Sequence, residues 1–274
     1  MTLVAAVLLG VIQGLTEFRP VSSSAHLILA RAFFGWNAEG FGLAFDVACH
    51  VGTLAAVVAY FRRDLVEMAA ALPGVFDRRA SEPARRIRLI AAGTMPVVVF
   101  GVLASGLVER TLRTPVVAAV NLAAVALIFF VVERVGSQQR GERSVSAGEA
   151  TLIGCAQAAA LVPGVSRSGA TISAAMFMGL RRDEAARFTF LLGVPAILAA
   201  AGTESIVLFR QGLAPGEGPL FAAGAIASAI VGYLTVKYFI RYLGGHSLRP
   251  FAWYRLALAA SVLVWWMSGM PFRG

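Results

Sequence analysis

The sequence predicts an all-α polytopic membrane protein: an inverted-topology repeat of six transmembrane helices plus two re-entrant helical hairpins. Three observations predict it. The 274 residues are 58% hydrophobic and only 14% charged, where a soluble domain carries roughly a quarter charged residues. The apolar residues gather in runs long enough to cross a bilayer. Two further apolar regions are interrupted by polar tips, and those two regions match each other.

A spanning helix needs about 20 mostly apolar residues. Spans are expected at 43–61, 89–108, 115–132, 188–208, 219–240 and 252–270. The region 2–34 is broken by Arg19, Pro20 and the serines Ser22, Ser23 and Ser24. The region 148–179 is broken by Pro163, Gly164 and the run Ser166-Arg167-Ser168-Gly169. Irregular backbone at membrane depth survives only inside protein or beside a wet cavity. Each broken region is therefore expected to be a re-entrant hairpin, two half-helices joined at a polar tip.

At a constant offset of 144, Gly10 meets Gly154, Gln13 meets Gln157, Val21 meets Val165, Ser22 meets Ser166, Ser24 meets Ser168 and Ile28 meets Ile172. The matches fall on polar and glycine positions, which argues against chance in an apolar sequence. The whole chain, 1–274, then reads as one membrane domain with a first repeat at 1–134 and a second at 148–270. Each repeat holds one hairpin and three spans. Three is odd, so the second half enters from the opposite side and the two tips face each other near the midplane.

The 24 Lys+Arg against 15 Asp+Glu give a net charge of +9. That excess alone would suggest nucleic acid. Here the arginines punctuate apolar runs instead of covering one face, so no nucleic-acid partner is expected. They set orientation instead. Arg62, Arg63, Arg78, Arg79, Arg85, Arg86 and Arg88 share one loop, and Arg134, Arg140 and Arg143 another. Arg181, Arg182 and Arg187 follow the second hairpin; Lys237, Arg241 and Arg249 precede the last span. Alternation puts these sixteen on one side and Arg110, Arg113, Arg210 and Arg273 on the other. The positive-inside rule makes the first side cytoplasmic, with both termini outward.

No basic residue precedes Arg19, so no cleavable leader is expected. Cys49 and Cys155 lie in apolar stretches and build neither a disulfide framework nor a zinc site. No HExxH, Walker, GxSxG or CxxC pattern marks a metal or nucleotide site, and no organic cofactor is expected.

Ionisable residues at membrane depth are costly, so each is a functional hypothesis. In the first hairpin Gln13 and Glu17 are four apart and share a helix face; Ser23 and His26 follow in the tip. The second hairpin supplies Ser166, Arg167, Ser168 and Thr171. An Arg at the start of a helix, in a Gly- and Ser-rich tip, is an anion site: its fork matches phosphate oxygens and the helix start adds free N–H groups. Glu17 and His26 suit proton transfer, and a serine beside a base can attack phosphorus. Plainer readings stand beside these. The serines can bond back to their own helices. Glu17 and Arg167 can form a structural ion pair, and His26 can be a core histidine. Asp46 and His50, another i, i+4 pair, read as supporting or structural residues. Acidic residues are too scattered for an all-protein magnesium cage, which leaves Glu17 as the one candidate for sharing a divalent ion with a diphosphate.

These residues resemble two motifs of the undecaprenyl-diphosphate phosphatase family, also called the bacitracin-resistance protein family. The first runs Gln13, Glu17, Pro20, Ser22, Ser23, His26; the second, Pro-Gly-x-Ser-Arg-Ser-x-x-Thr, runs from Pro163 to Thr171. The resemblance covers nearly the whole chain. It implies hydrolysis of undecaprenyl diphosphate to the monophosphate at the outer face of the bacterial inner membrane, dependence on Mg²⁺ or Ca²⁺, and a homodimer. Carried over by position, Glu17 and His26 are catalytic, Ser23 is the candidate nucleophile and Arg167 the phosphate clamp. Gln13, Ser22, Ser24, Ser166, Ser168 and Thr171 become substrate-binding. The sequence departs from the family pattern at Gln13, often Glu, and at Ser24, Ala25 and Arg19. Gln13 cannot act as a general base. A rival reading is a secondary transporter or polyprenyl-phosphate flippase, because facing broken helices also serve transport.

Overall fold

The computed structural model describes residues 2–36, 42–77, 81–107, 111–112, 114–211 and 216–268. The expected span ends at 108 and 269–270 lie outside them, as do Arg78, Arg79, Arg110, Arg113 and Arg273. Among the described residues every regular element is a helix and no strand forms; one isolated β-bridge joins Arg140 to Leu180.

Both broken regions are pairs of short helices. The first pair is α1 (Leu3–Thr16) and α2 (Ser23–Phe34); α7 (Ala147–Ala159) and α8 (Arg167–Phe177) form the second. At 1.5 Å per residue none of the four reaches across an apolar core of about 30 Å. The two breaks are alike in backbone. Ser22 (φ 71°, ψ 96°) and Ser166 (φ 72°, ψ 116°) both take the left-handed side of φ, and each caps the following helix through its own hydroxyl. A serine gains that cap while reversing the chain, which an apolar residue at the same place would not.

The longer helices are α3 (Gly42–Tyr60), α5 (Glu82–Leu107), α6 (Pro115–Val135), α9 (Arg182–Gln211), α10 (Glu217–Leu243) and α11 (Arg249–Met267). A short α4 (Arg62–Ala70) follows α3 at a bend of 75°. Among the described residues, four helices are long and apolar enough to cross a membrane, and the bent α3–α4 pair makes a fifth if taken as one span. Their outer faces carry large apolar side chains such as Val102, Leu127, Leu198 and Ile226. This is the surface of a polytopic membrane protein.

Packing is closest where side chains are smallest. α10 runs along both α1 and α3, α7 along α5, and α6 along α11. A Cβ on Gly10 would strike the Gly224 carbonyl, and one on Gly154 the Gly93 carbonyl. Inside a membrane such close backbone approach replaces the hydrophobic drive as the source of helix association. Gly154→Ala is therefore expected to cost about 1–3 kcal/mol, since backbone has to move. A lower thermal midpoint of the detergent-solubilised protein checks it; an unchanged midpoint contradicts it.

One end of the molecule is charged. Arg86 reaches Asp64 and Glu142, Arg187 reaches Asp64, and Glu184 accepts from the Glu142 backbone N–H. Arg182 pairs with Glu133, which also accepts from the Leu248 N–H at 2.7 Å. Burial pushes the Glu142 carboxyl above the ordinary carboxylate range, against the opposing pull of Arg86 and Arg187. α4, the start of α5, the loop after α6, the start of α9 and the start of α11 thus meet at one place.

Candidate active site

The two tips meet over a cavity of about 340 Å³. Its polar wall is Glu17, Ser22, Ser23, Ser24, Asp46, His50, Gln157, Ser166 and Arg167. Its apolar wall comes from α2, α3, α5, α9 and the segment just after α7, with Leu27, Val47, Val97, Leu161 and Ile197 as the larger side chains. Two helices fix its depth. Arg86 to Val97 on α5 and Arg187 to Ile197 on α9 each separate the charged end from the cavity. Ten or eleven residues of helix is roughly 15 Å, about half an apolar core.

Glu17 is the hub. It ends α1, and its backbone N–H still bonds back to the Gln13 carbonyl. Its Oε2 accepts from the Ser23 hydroxyl at 2.7 Å and from the Gln13 amide at 2.9 Å. Its Oε1 accepts from Arg167 at 2.9 Å. The His50 Nε2 stands 3.6 Å from Oε2. Arg167 also donates to the Gly193 carbonyl at 3.1 Å. These two bonds engage two of the five N–H groups a guanidinium carries. The Glu17–Arg167 pair joins positions 150 apart and unites the two halves in one electrostatic unit.

The tips are locked to each other through backbone. Ser168 donates to the Arg19 carbonyl at 2.9 Å. The Ser22 and Ser24 hydroxyls lie 3.2 Å apart, and those of Ser166 and Ser168 lie 3.3 Å apart. α2 and α8 both begin at the cavity wall, so the positive ends of two helix dipoles face the same space. Such an arrangement, built from both halves, suits an anion.

The remaining sequence candidates stand off the cavity. Gln13 is fully buried behind Glu17 and orients it. Thr171 donates back to the Arg167 carbonyl, four residues earlier in its own helix. His26 is turned elsewhere. Its Nδ1 lies 2.7 Å from the Ser22 carbonyl, which can only accept, so Nδ1 carries the proton. Its Nε2 lies 2.7 Å from the Tyr254 hydroxyl, and the two rings stack 5.6 Å apart. His50, weighed in the sequence as a supporting residue, lines the cavity itself; its i, i+4 spacing from Asp46 was the available signal. Asp46 is held by Arg31 through both carboxylate oxygens. Gln157, the counterpart of Gln13, also lines the cavity, and neither of its amide atoms has a hydrogen-bond partner.

The donor set does not make a resident metal site. Among the described residues no group of three His, Cys, Asp or Glu is placed to hold an ion. Both Glu17 oxygens already accept hydrogen bonds, one of them from a guanidinium.

The chain is similar to known proteins over nearly its whole length. Undecaprenyl-diphosphatase of Rubrobacter xylanophilus is 50% identical over 264 residues, 95% of this chain and 97% of that protein. The protein of the same name from Alcanivorax borkumensis is 43% identical over 261 residues, 95% and 97% of the two chains. That of Pelobacter propionicus is 40% identical over 273 residues, 98% and 99%. The family described as bacitracin resistance protein BacA matches residues 6–261, a stretch that contains both tips, every polar residue of the cavity wall and the helices that carry them, and the chain belongs to that family.

Proposed function

We propose that this chain is an integral membrane phosphatase that hydrolyses undecaprenyl diphosphate to undecaprenyl phosphate and inorganic phosphate. It thereby recycles a lipid carrier for cell-wall synthesis and gives resistance to bacitracin. The observation that carries this reading is the Ser23 hydroxyl on the Glu17 carboxylate, 2.7 Å away, with Arg167 on the other oxygen of the same carboxylate. That is a nucleophile, a base and a phosphate clamp on one cavity wall, facing an apolar wall suited to an isoprenoid tail.

The chemistry follows from the geometry. The diphosphate settles on Arg167 and the starts of α2 and α8. Ser23 Oγ attacks the terminal phosphorus as its proton passes to Glu17. The bond from that phosphorus to the bridging oxygen breaks, and the lipid monophosphate leaves carrying the bridging oxygen. Glu17 hands that proton to the departing monophosphate and takes one from the water that attacks the phosphoserine; the Ser23 Oγ–phosphorus bond breaks, Oγ regains the proton from Glu17, and inorganic phosphate is released. Glu17 fits the base because it touches the nucleophile; His26 is engaged with Tyr254. His26 as the nucleophile is the rival chemistry. Brief incubation with terminally ³²P-labelled substrate and acid quench separates the two. Label is expected on Ser23 and absent from Ser23→Ala, which should be inactive. Label on His26, or retained turnover in Ser23→Ala, contradicts the serine route.

The finer architecture belongs to the same reading. The two hairpins are re-entrant, α11 is the sixth span, and the halves form an inverted-topology repeat, supported by the shared geometry of Ser22 and Ser166. The charged end is cytoplasmic in a bacterial inner membrane, so the cavity opens outward and receives lipid from the outer leaflet. The protein pairs as a homodimer. Mg²⁺ or Ca²⁺ arrives as the counter-ion of the diphosphate. Labelling of single cysteines in intact cells tests the orientation: a cysteine at Arg85 is expected to resist an impermeant maleimide, and ready labelling there inverts the topology. A flippase reading shares the facing broken helices, but transport needs no serine on a carboxylate.

A further inference from the structure

Arg255 lies less than two turns into α11 and is fully buried. An arginine at such depth is costly, and one is retained where it does something. Its hydrogen bonds go to backbone carbonyls. Nη1 donates to Pro20 at 3.0 Å, in the first tip. Nη2 donates to Gly164 at 2.7 Å and Val165 at 3.2 Å, in the second tip. Nε and Nη2 donate to Leu122 at 3.1 Å and Asn121 at 3.2 Å, at the middle of α6. The guanidinium also stands over the Phe129 ring at 5.5 Å. Asn121 adds a bond of its own from its amide to the Pro163 carbonyl at 2.9 Å.

We propose that Arg255 is a positioning residue for the phosphatase reaction, tying the backbones of both tips to α6 and so setting the spacing between Ser23 with Glu17 and Ser166 with Arg167. A helix break at membrane depth frees carbonyls that no water satisfies. A single aliphatic substitution would leave several of them bare in both tips at once. No lysine could reach all five, because the fork of a guanidinium presents five donors in fixed directions and an ammonium three from one point. Arg255 does not line the cavity, so it acts on turnover only through the groups it holds. Its loss should misalign attack more than it weakens diphosphate binding.

This inference rests on the phosphatase reading, so one of its readouts needs no substrate. In a background lacking Cys49 and Cys155, Arg19→Cys and Ser168→Cys place thiols across the two tips, where Ser168 now bonds the Arg19 carbonyl. Their oxidation to a disulfide is timed with Arg255 intact and with Arg255→Gln or Arg255→Lys. Separately, kcat and KM are measured for the same Arg255 variants with native tips. Cross-linking is expected to slow about tenfold, and kcat to fall about 100-fold with KM within about threefold, Lys restoring part of the loss. Folded variants that cross-link and turn over at the wild-type rate overturn the proposal. So does activity that falls only in step with the folded fraction. If neither Arg255 variant folds, Phe129→Leu, which removes the ring beneath the guanidinium, decides by the same two readouts: slower cross-linking and about a tenfold lower kcat support it, and wild-type values refute it. Cross-linking slowed in the Arg255 variants, beside a wild-type protein that releases no phosphate, would leave the tie standing and reject the phosphatase reading alone.

Discussion

Arg167→Ala is expected to abolish nearly all turnover, lowering kcat/KM for undecaprenyl diphosphate by about 10³-fold or more. Two losses combine. The diphosphate loses the guanidinium that neutralises charge gathering on the phosphoryl oxygens. Glu17, buried and now without its partner at 2.9 Å, becomes an isolated carboxylate at membrane depth, and removing one member of a buried pair is costly. Such a carboxylate takes up a proton and ceases to be a base for Ser23. Arg167→Lys keeps charge but not the fork that reaches both Glu17 and the Gly193 carbonyl, so partial recovery, well short of wild type, is expected. Phosphate release by the purified variants measures both. An Arg167→Ala protein with near-wild-type rates would remove the clamp from the account.

Glu17→Gln is expected to be comparably severe, a loss of about 10²–10⁴-fold in kcat. The amide preserves shape and can still accept from one donor, but it cannot take the Ser23 proton. It also leaves Arg167 without a counter-charge. The variant separates catalysis from binding, since the positive helix ends and Arg167 still hold the diphosphate: KM should change far less than kcat. The phosphoenzyme label expected on Ser23 should disappear with it. A Glu17→Gln protein that still forms phosphoserine at the wild-type rate would mean that another group, His50 at 3.6 Å from the same oxygen being nearest at hand, takes the proton.

Much of this architecture could be read from the chain because a membrane exaggerates polar residues. Ser22 and Ser166 stood out as polar tips in apolar runs, and in the structure they share one backbone conformation and one capping role. The basic loops could be grouped from alternation alone, and Asp64, Arg86, Glu142 and Arg187 meet at one end. Short-range patterns also placed Glu17 beside Gln13. What resisted was anything set by a distant partner. The direction of His26 is decided by Tyr254, 228 residues away. Arg255 gave no sign of its role because its partners are carbonyls, which every residue has. His50 could be paired with Asp46 by spacing, but its exposure to the cavity depends on how α3 packs against α9 and α10. Six spans could be counted by hydropathy, whereas α11, at 19 residues with Arg249 and Arg255 inside it, falls short of the four unbroken helices that are apolar enough alone.

The most direct test of the central claim is phosphate release from undecaprenyl diphosphate by the purified protein in detergent, with Ser23→Ala and Arg167→Ala prepared alongside. The account predicts steady release by the wild type, undecaprenyl phosphate as the lipid product in equal amount, and almost none from either variant. Folded wild-type protein that binds the lipid diphosphate yet releases no phosphate, with or without added Mg²⁺ or Ca²⁺, would contradict it.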